Sequence, residues 1–333
     1  MYWRHSSEAS IEVKTRILLI SCILLVCGAL GVRAEAGAPE NGWILLERAK
    51  ALIAERGGER MGEALELLRK AIEAQPLFPE AEIAIGDIYY REGALELAKA
   101  QFVKALEPEY RKALRVADEA YAVLYRLAEI HELQGEYGSM ESRLLEILRS
   151  HPVYEQPSAQ RLRTAMLNGY LSRGLDHTFK LYRLENAGFA LAAYAKLGWY
   201  YYRWGRFEPA SILHSLFALD IMITESVIEI RRVQPLYEFE TLEGFLETAM
   251  GRGNIREYLI NEGFIRCLYY LAAATYAAGH PARAAELWRI IAGSRLEAQL
   301  LGPYAGLARK QLASPWVEPY LQPSPRRIEY PSE

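Results

Sequence analysis

Ala64 and Ala98, Leu68 and Phe102, and Ala71 and Ala105 each lie 34 residues apart. Small, large and small side chains thus recur at one offset, the mark of a repeated helical unit. The stretch from Pro79 to Pro108, PEAEIAIGDIYYREGALELAKAQFVKALEP, shows the unit in full. Ile85, Ile88 and Tyr89 share one stripe of a first helix; Leu95, Ala98, Phe102, Ala105 and Leu106 share one of a second. Arg91-Glu92-Gly93 breaks between them. Gly86 on the first helix, and Ala98 and Ala105 on the second, are small where the two would press together. A hairpin this short cannot bury both its faces alone and needs neighbours of its own kind.

Copies run along most of the chain. Trp43, Leu46, Ala49, Leu52 and Ile53 form a stripe, Gly57-Gly58 interrupts it, and Ala64, Leu67, Leu68, Ala71 and Ile72 form the next. The stretch from Pro79 supplies Gly86, Tyr89, Gly93, Ala98, Phe102 and Ala105. The stretch from Tyr121 supplies Ala128, His131, Gly135, Met140, Leu144, Ile147 and Pro152. The stretch from Leu191 supplies Gly198, Tyr201, Gly205, Ala210, His214 and Phe217. The stretch from Ile265 supplies Ala272, Thr275, Gly279, Ala284, Trp288 and Ile291. This order of small, aromatic, glycine, small, large and small residues resembles the tetratricopeptide repeat family over most of residues 42–295. The copies from Pro79 and Leu191 match best; Gln160 to Asn186 matches poorly, with helix stripes on either side of Gly174.

Spacing between copies is irregular. Glu208 to Val233 reads as one long second helix, and Phe239 to Met250 as a further helix ended by Gly251-Arg252-Gly253. Leu296 to Leu312 reads as a terminal helix capping the last apolar face. From Ser314 onward Pro315, Pro319, Pro323, Pro325 and Pro331 rule out a helix and favour an extended or disordered arm. The expected fold is therefore all-α: a right-handed solenoid of five to six antiparallel tetratricopeptide-like hairpins over residues 35–313, with a C-terminal capping helix and a Pro-rich tail, 314–333.

Residues 1–34 read as an export signal. Lys14 and Arg16 precede the uncharged run Ile17 to Val32, and Val32-Arg33-Ala34 offers small residues where a signal peptidase cleaves. A retained anchor is the alternative, although the run of 16 residues falls short of the roughly 20 that span a bilayer. A third reading acylates Cys27; Leu24-Leu25-Val26-Cys27 departs from the lipoprotein pattern in lacking a small residue just before the cysteine. MYWRHSSEASIE is foreign to such a signal, so a true start at Val13 is also expected; a precursor peptide beginning upstream of Val13 would refute it. Removing residues 1–34, with four basic and two acidic residues, takes the formal charge from −3 to −5. A mildly acidic body carries no basic field for nucleic acid.

Catalytic and cofactor motifs are missing from the text. Gly251-Arg252-Gly253 lacks the third glycine and preceding strand of a dinucleotide site. His131-Glu132 lacks the second histidine of a metalloprotease helix, and the six histidines are scattered. No metal, cofactor or catalytic residue is expected. His214 reads as a packed core histidine and Cys267 as a small buried hydrophobe.

What remains is a binding face. The resemblance implies a concave groove lined by the first helix of each hairpin. Carried onto this chain, its positions are Asp87, Tyr90 and Arg91; Tyr125, Glu129 and Glu132; Trp199, Tyr202 and Arg203; and Arg266, Tyr269 and Tyr276. Tyrosine, tryptophan and arginine dominate protein-recognition surfaces because they bring large area with few rotors. The run Gly198-Trp199-Tyr200-Tyr201-Tyr202-Arg203-Trp204 cannot point one way on a helix; some of its rings face a partner, or else they pack between irregular repeats. The expected function is a non-catalytic scaffold or adaptor for a protein or peptide in the bacterial cell envelope, periplasmic or envelope-associated. It would touch membrane only through its N-terminal segment or lipidation at Cys27. The alternatives are capture of a small ligand for a transport system, and an enzyme subunit with paired carboxylates acting on a glycan.

Overall fold

Glycine in the left-handed conformation punctuates the chain. In the computed structural model Gly93, Gly135, Gly205 and Gly279 have φ of 75°, 72°, 74° and 93°. Each closes a first helix in the same way. The amide of the following residue reaches back to a carbonyl one turn inside: Ala94 to Tyr89 (2.9 Å), Glu136 to His131 (2.8 Å), Arg206 to Tyr201 (2.8 Å) and His280 to Thr275 (3.0 Å). This closure satisfies carbonyls that a helix end leaves open, and only glycine adopts its φ without strain.

The structure describes residues 41–55, 60–149, 151, 154, 157–186, 189–293 and 301–321. The expected signal segment, with Val13, Cys22 and Cys27, lies outside them, as do Gly57-Gly58, 294–300 and 322–333. Among the described residues every regular element is a helix, so the chain is all-α. Four pairs flank the glycines above: α3 (Pro79–Arg91) with α4 (Leu95–Ala105), α6 (Glu119–Leu133) with α7 (Tyr137–Arg149), α10 (Ala190–Arg203) with α11 (Ile212–Val233), and α14 (Phe264–Ala277) with α15 (Pro281–Gly293). A fifth pair, α1 (Gly42–Ala54) and α2 (Met61–Ala74), precedes them, and α5 (Pro108–Ala113) follows α4. Asn41 caps α1, its side chain accepting from the Trp43 amide at 3.0 Å.

Within each pair the two helices pack closely, and each second helix packs on the first helix of the next: α2 on α3, α4 on α6, α7 on α10, α11 on α14. The poorly matching stretch, α8 (Pro157–Arg173) and α9 (Leu175–Leu181), stands outside this sequence of contacts. With seven residues α9 is too short to form a full second helix. Instead α8 packs against α11, and the Tyr170 hydroxyl meets Thr275 Oγ1 at 2.8 Å on α14. Gly174, at φ 93°, lies beneath the Arg283 guanidinium.

Two expected boundaries move. The helix expected from Glu208 begins at Ile212, after a short π-turn in which Glu208 is extended and Pro209 has no amide to donate. α12 (Leu242–Met250) starts later than Phe239 because Thr241 caps it, accepting from Gly244 N at 3.1 Å. It leads into α13 (Gly253–Asn261). The expected start of the terminal helix at Leu296 lies outside the described residues; after a turn at Gly302-Pro303, α16 (Tyr304–Ala313) is laid on α15 with Ala305 and Ala308 buried. Among the described residues one helical stretch, Phe207–Val233, is long and apolar enough to cross a membrane, but 83% of its apolar window is buried among its neighbours.

The buried side chains fall into three clusters. Leu46, Leu68 and Phe78 centre the first, between α1, α2 and α3; Phe102, Leu127 and Ile130 centre a second. A large third cluster runs from α6 to α16 around Leu216, Phe217 and Leu268.

Residues 314–321 form an extended arm across the end of α10. Glu318 N donates to the Tyr202 hydroxyl (2.9 Å), Arg203 Nε donates to Pro319 O (3.1 Å), and Leu321 N donates to Arg203 O (2.8 Å). Trp316 exchanges hydrogen bonds with the Gln311 side chain, its N to Oε1 and its O from Nε2.

Candidate partner-binding face

The first helices α3, α6 and α10 bring one set of the expected residues together. On α6 Arg126 sits 3.7 Å from Asp87 Oδ1, 3.1 Å from Glu129 Oε2 and 5.4 Å over the Tyr90 ring. One guanidinium therefore ties α6 to α3 through the Asp87 carboxylate and a cation–π contact with Tyr90, while Glu129 on its own helix holds it in place. On α10 Lys196 pairs with Glu132 and lies 5.5 Å over the Tyr125 ring. Phe189 lies 6.1 Å from the same ring. Arg91 donates to Ile53 O at 3.4 Å, and Asp87 and Arg91 line a recess of about 330 Å³ with Lys50, Ile53, Glu80 and Glu119.

Burial raises the pKa values on this face. The Asp87 carboxyl is held up by burial, against the pull of Arg126 and Arg91. Glu119 is raised by burial and then by Glu80. Tyr90 and Tyr125 are raised by burial first and by Glu129 next. Arg266 and Glu262, at the α13–α14 junction, also act electrostatically on Tyr125. Arg266 itself is exposed. The face is thus lined by alternating charge with aromatic rings between, an arrangement suited to a polar chain segment.

The other expected residues stand elsewhere. Tyr202 is 1% exposed, its ring 5.6 Å from Tyr270, and its hydroxyl is taken by the arm. Arg203 Nη1 lies 3.5 Å from the Glu318 carboxylate. Trp199 is half-buried against the large cluster. Tyr269 is fully buried and accepts from Gln311 Nε2 at 3.2 Å; Tyr276 packs on Trp288 with ring centroids 5.7 Å apart. These tyrosines of α10 and α14 face other helices and the arm because the two first helices approach each other directly.

The aromatic run on α10 packs on every side. Glu141 on α7 accepts from Tyr201 (2.9 Å), Tyr200 (3.4 Å) and Arg206 (3.0 Å). Tyr201 packs edge-on to His214, whose Nδ1 donates to Ala210 O at 2.7 Å, while its other nitrogen is buried without a partner among the described residues. Cys267 is buried, and burial pushes its thiol up to about 11, which keeps it protonated and unreactive. Among the described residues no three metal-ligating side chains come together.

Arg126 and Lys196 were not among the expected positions. Both occupy the sixth place of their copies, counted from Tyr121 and Leu191. A cation at that place in two copies is a sequence signal, because it lies one turn before the ninth position on the same face.

No protein-family model matches the chain. It is similar to an uncharacterised protein of Borreliella burgdorferi, 26% identical across 81% of this chain and 89% of that protein. It is also similar to an uncharacterised protein of Treponema pallidum, 27% identical across 77% of this chain and 71% of that protein.

Proposed function

We propose that this chain is a tetratricopeptide-like α-solenoid that works as a non-catalytic scaffold for a protein partner in the bacterial cell envelope. The repeated glycine closure and the second-on-first order of helix packing support the architecture. The observation that carries the binding role is the face where Asp87, Tyr90, Arg126, Tyr125, Glu132 and Lys196 meet from three separate helices. Ion pairs and rings placed together from positions remote in sequence suit recognition of a partner segment. Export through residues 1–34 is part of the same proposal and rests on their sequence pattern.

The test is quantitative co-purification from envelope extract, comparing the full chain with the Tyr90→Ala, Arg126→Glu double variant. A partner captured by the parent and lost by a variant of unchanged melting temperature is expected. Equal capture by both would place the partner elsewhere. A second reading, capture of a small ligand, is favoured by the recess beside Asp87 and Arg91. It predicts that Arg91→Ala abolishes ligand-induced thermal stabilisation while leaving protein capture intact.

A further inference from the structure

The arm on α10 is a peptide bound by the protein's own surface, and its contacts say what that surface recognises. Three of them use only backbone atoms of the arm: Glu318 N, Pro319 O and Leu321 N. These select an extended segment of any sequence that leaves those groups free. The side-chain contacts add selectivity. The Glu318 carboxylate lies beside Arg203 and close enough to Tyr270 and Tyr304 to hold their hydroxyls further toward the protonated form. The Tyr320 ring covers Gly205, with atoms 3.0 Å from the place where a Cβ would be. Any side chain at that position would lift the ring away. Proline at Pro319 holds the chain extended and, lacking an amide, leaves no donor unpaired there.

The arm is also lightly held. Val317 is 39% exposed and Tyr320 is 56% exposed. Leu321 alone of the arm packs against the large core cluster. A segment bound mainly through backbone hydrogen bonds and one ion pair competes on equal terms with another segment of the same pattern. Its advantage is its tether to α16, which sets an effective concentration in the millimolar range.

We propose that the surface formed by Tyr202, Arg203, Gly205 and Tyr270 is a recognition site for an extended segment of a partner protein bearing glutamate, proline and an aromatic residue in succession. The chain's own residues 316–321 are its resident occupant, and a partner segment binds by displacing them. This site is separate from the face around Arg126 but rests on the same reading of the protein as a partner-binding scaffold.

The experiment uses the full chain and a fluorescent peptide Ser-Pro-Trp-Val-Glu-Pro-Tyr-Leu, followed by anisotropy. In the chain carrying Glu318→Ala and Tyr320→Ala the arm is weakened and the site is intact. Peptide affinity for this variant should exceed that for the parent at least tenfold. Adding Arg203→Ala should reverse the gain, and a peptide with alanine for glutamate should bind at least tenfold more weakly. Equal affinity for the parent and the weakened-arm variant overturns the proposal. So does self-association of that variant without peptide binding, which would mean exchange of arms between copies. Hydrogen exchange supplies the second measurement. Faster exchange confined to residues 316–321 supports exchangeability, whereas loss of protection throughout α10 and α14 makes the arm part of the core and overturns it. Failure here leaves capture through the Tyr90 and Arg126 face untouched, so the two readings fail separately.

Discussion

Gly86 faces the edge of Phe102 so closely that a Cβ on the glycine would lie 2.6 Å from the ring. The same relation recurs on α10, where a Cβ on Gly198 would meet Ser215 Oγ at 2.5 Å and its backbone nitrogen at 3.0 Å. These contacts set how near the two helices of a pair approach. Gly86→Ala should lower stability by about 1–3 kcal/mol, since the Phe102 ring is fully buried and must shift. Gly198→Ala should cost more, because a backbone atom cannot rotate away. Urea denaturation of the two variants checks the order.

Asp220 is a fully buried carboxylate on α11. Its Oδ2 accepts from Leu184 N at 2.7 Å, and its other oxygen has no hydrogen-bond partner among the described residues. Burial, opposed by the Leu184 amide and Arg183, lifts its pKa from 3.8 to about 7. A pKa raised on folding gives stability that is complete below pH 4 and lost as pH rises to about 7. The loss is on the order of 4 kcal/mol. Asp220→Asn keeps an acceptor for Leu184 and removes the charge. It should be more stable than the parent at pH 8 and indistinguishable from it at pH 3.5, by denaturation at the two pH values.

His214, on the same helix, runs the other way. Burial lowers its pKa from 6.5 to about 4. Its contribution is present above pH 6.5 and lost as pH falls through about 4, on the order of 3 kcal/mol. Between pH 4 and 6.5 these two contributions oppose each other. His214→Gln removes the rising contribution, so stability measured relative to the parent should fall as pH rises there. A profile unchanged by the substitution would rule out His214 as the opposing group.

Glu141 joins α7 to α10 through Tyr200, Tyr201 and Arg206. Glu141→Ala leaves the buried Tyr201 hydroxyl unpaired and should cost about 1–3 kcal/mol. Glu141→Gln keeps an acceptor and should cost less. Thermal melts of both variants at neutral pH measure the difference.

The pairing of helices was legible because its determinants are local: one glycine at each turn and small residues where helices touch. Asp87, Tyr90, Tyr125 and Glu132 stand on α3 and α6, and their helical positions were legible for the same reason. Tyr202 and Tyr269 were not. Their burial depends on α14 reaching α10 and on the arm crossing both, contacts between segments far apart in sequence. The position of α8 and α9 was hidden likewise, because a helix of seven residues gives no periodicity from which to read its neighbours. Arg126 and Lys196 could have been found by comparing the sixth place of each copy.

The division of the buried side chains into three clusters has a dynamic consequence. The cluster between α1, α2 and α3 meets the next through the half-buried Tyr89, while the large cluster spans everything from α6 to α16. Cooperative units follow shared burial. The pair α1 and α2 buries its apolar side chains in the first cluster, so it can open and reclose as a unit while α3 stays packed on α4, and the recess beside Asp87 and Arg91 then loses the wall that Lys50 and Ile53 supply.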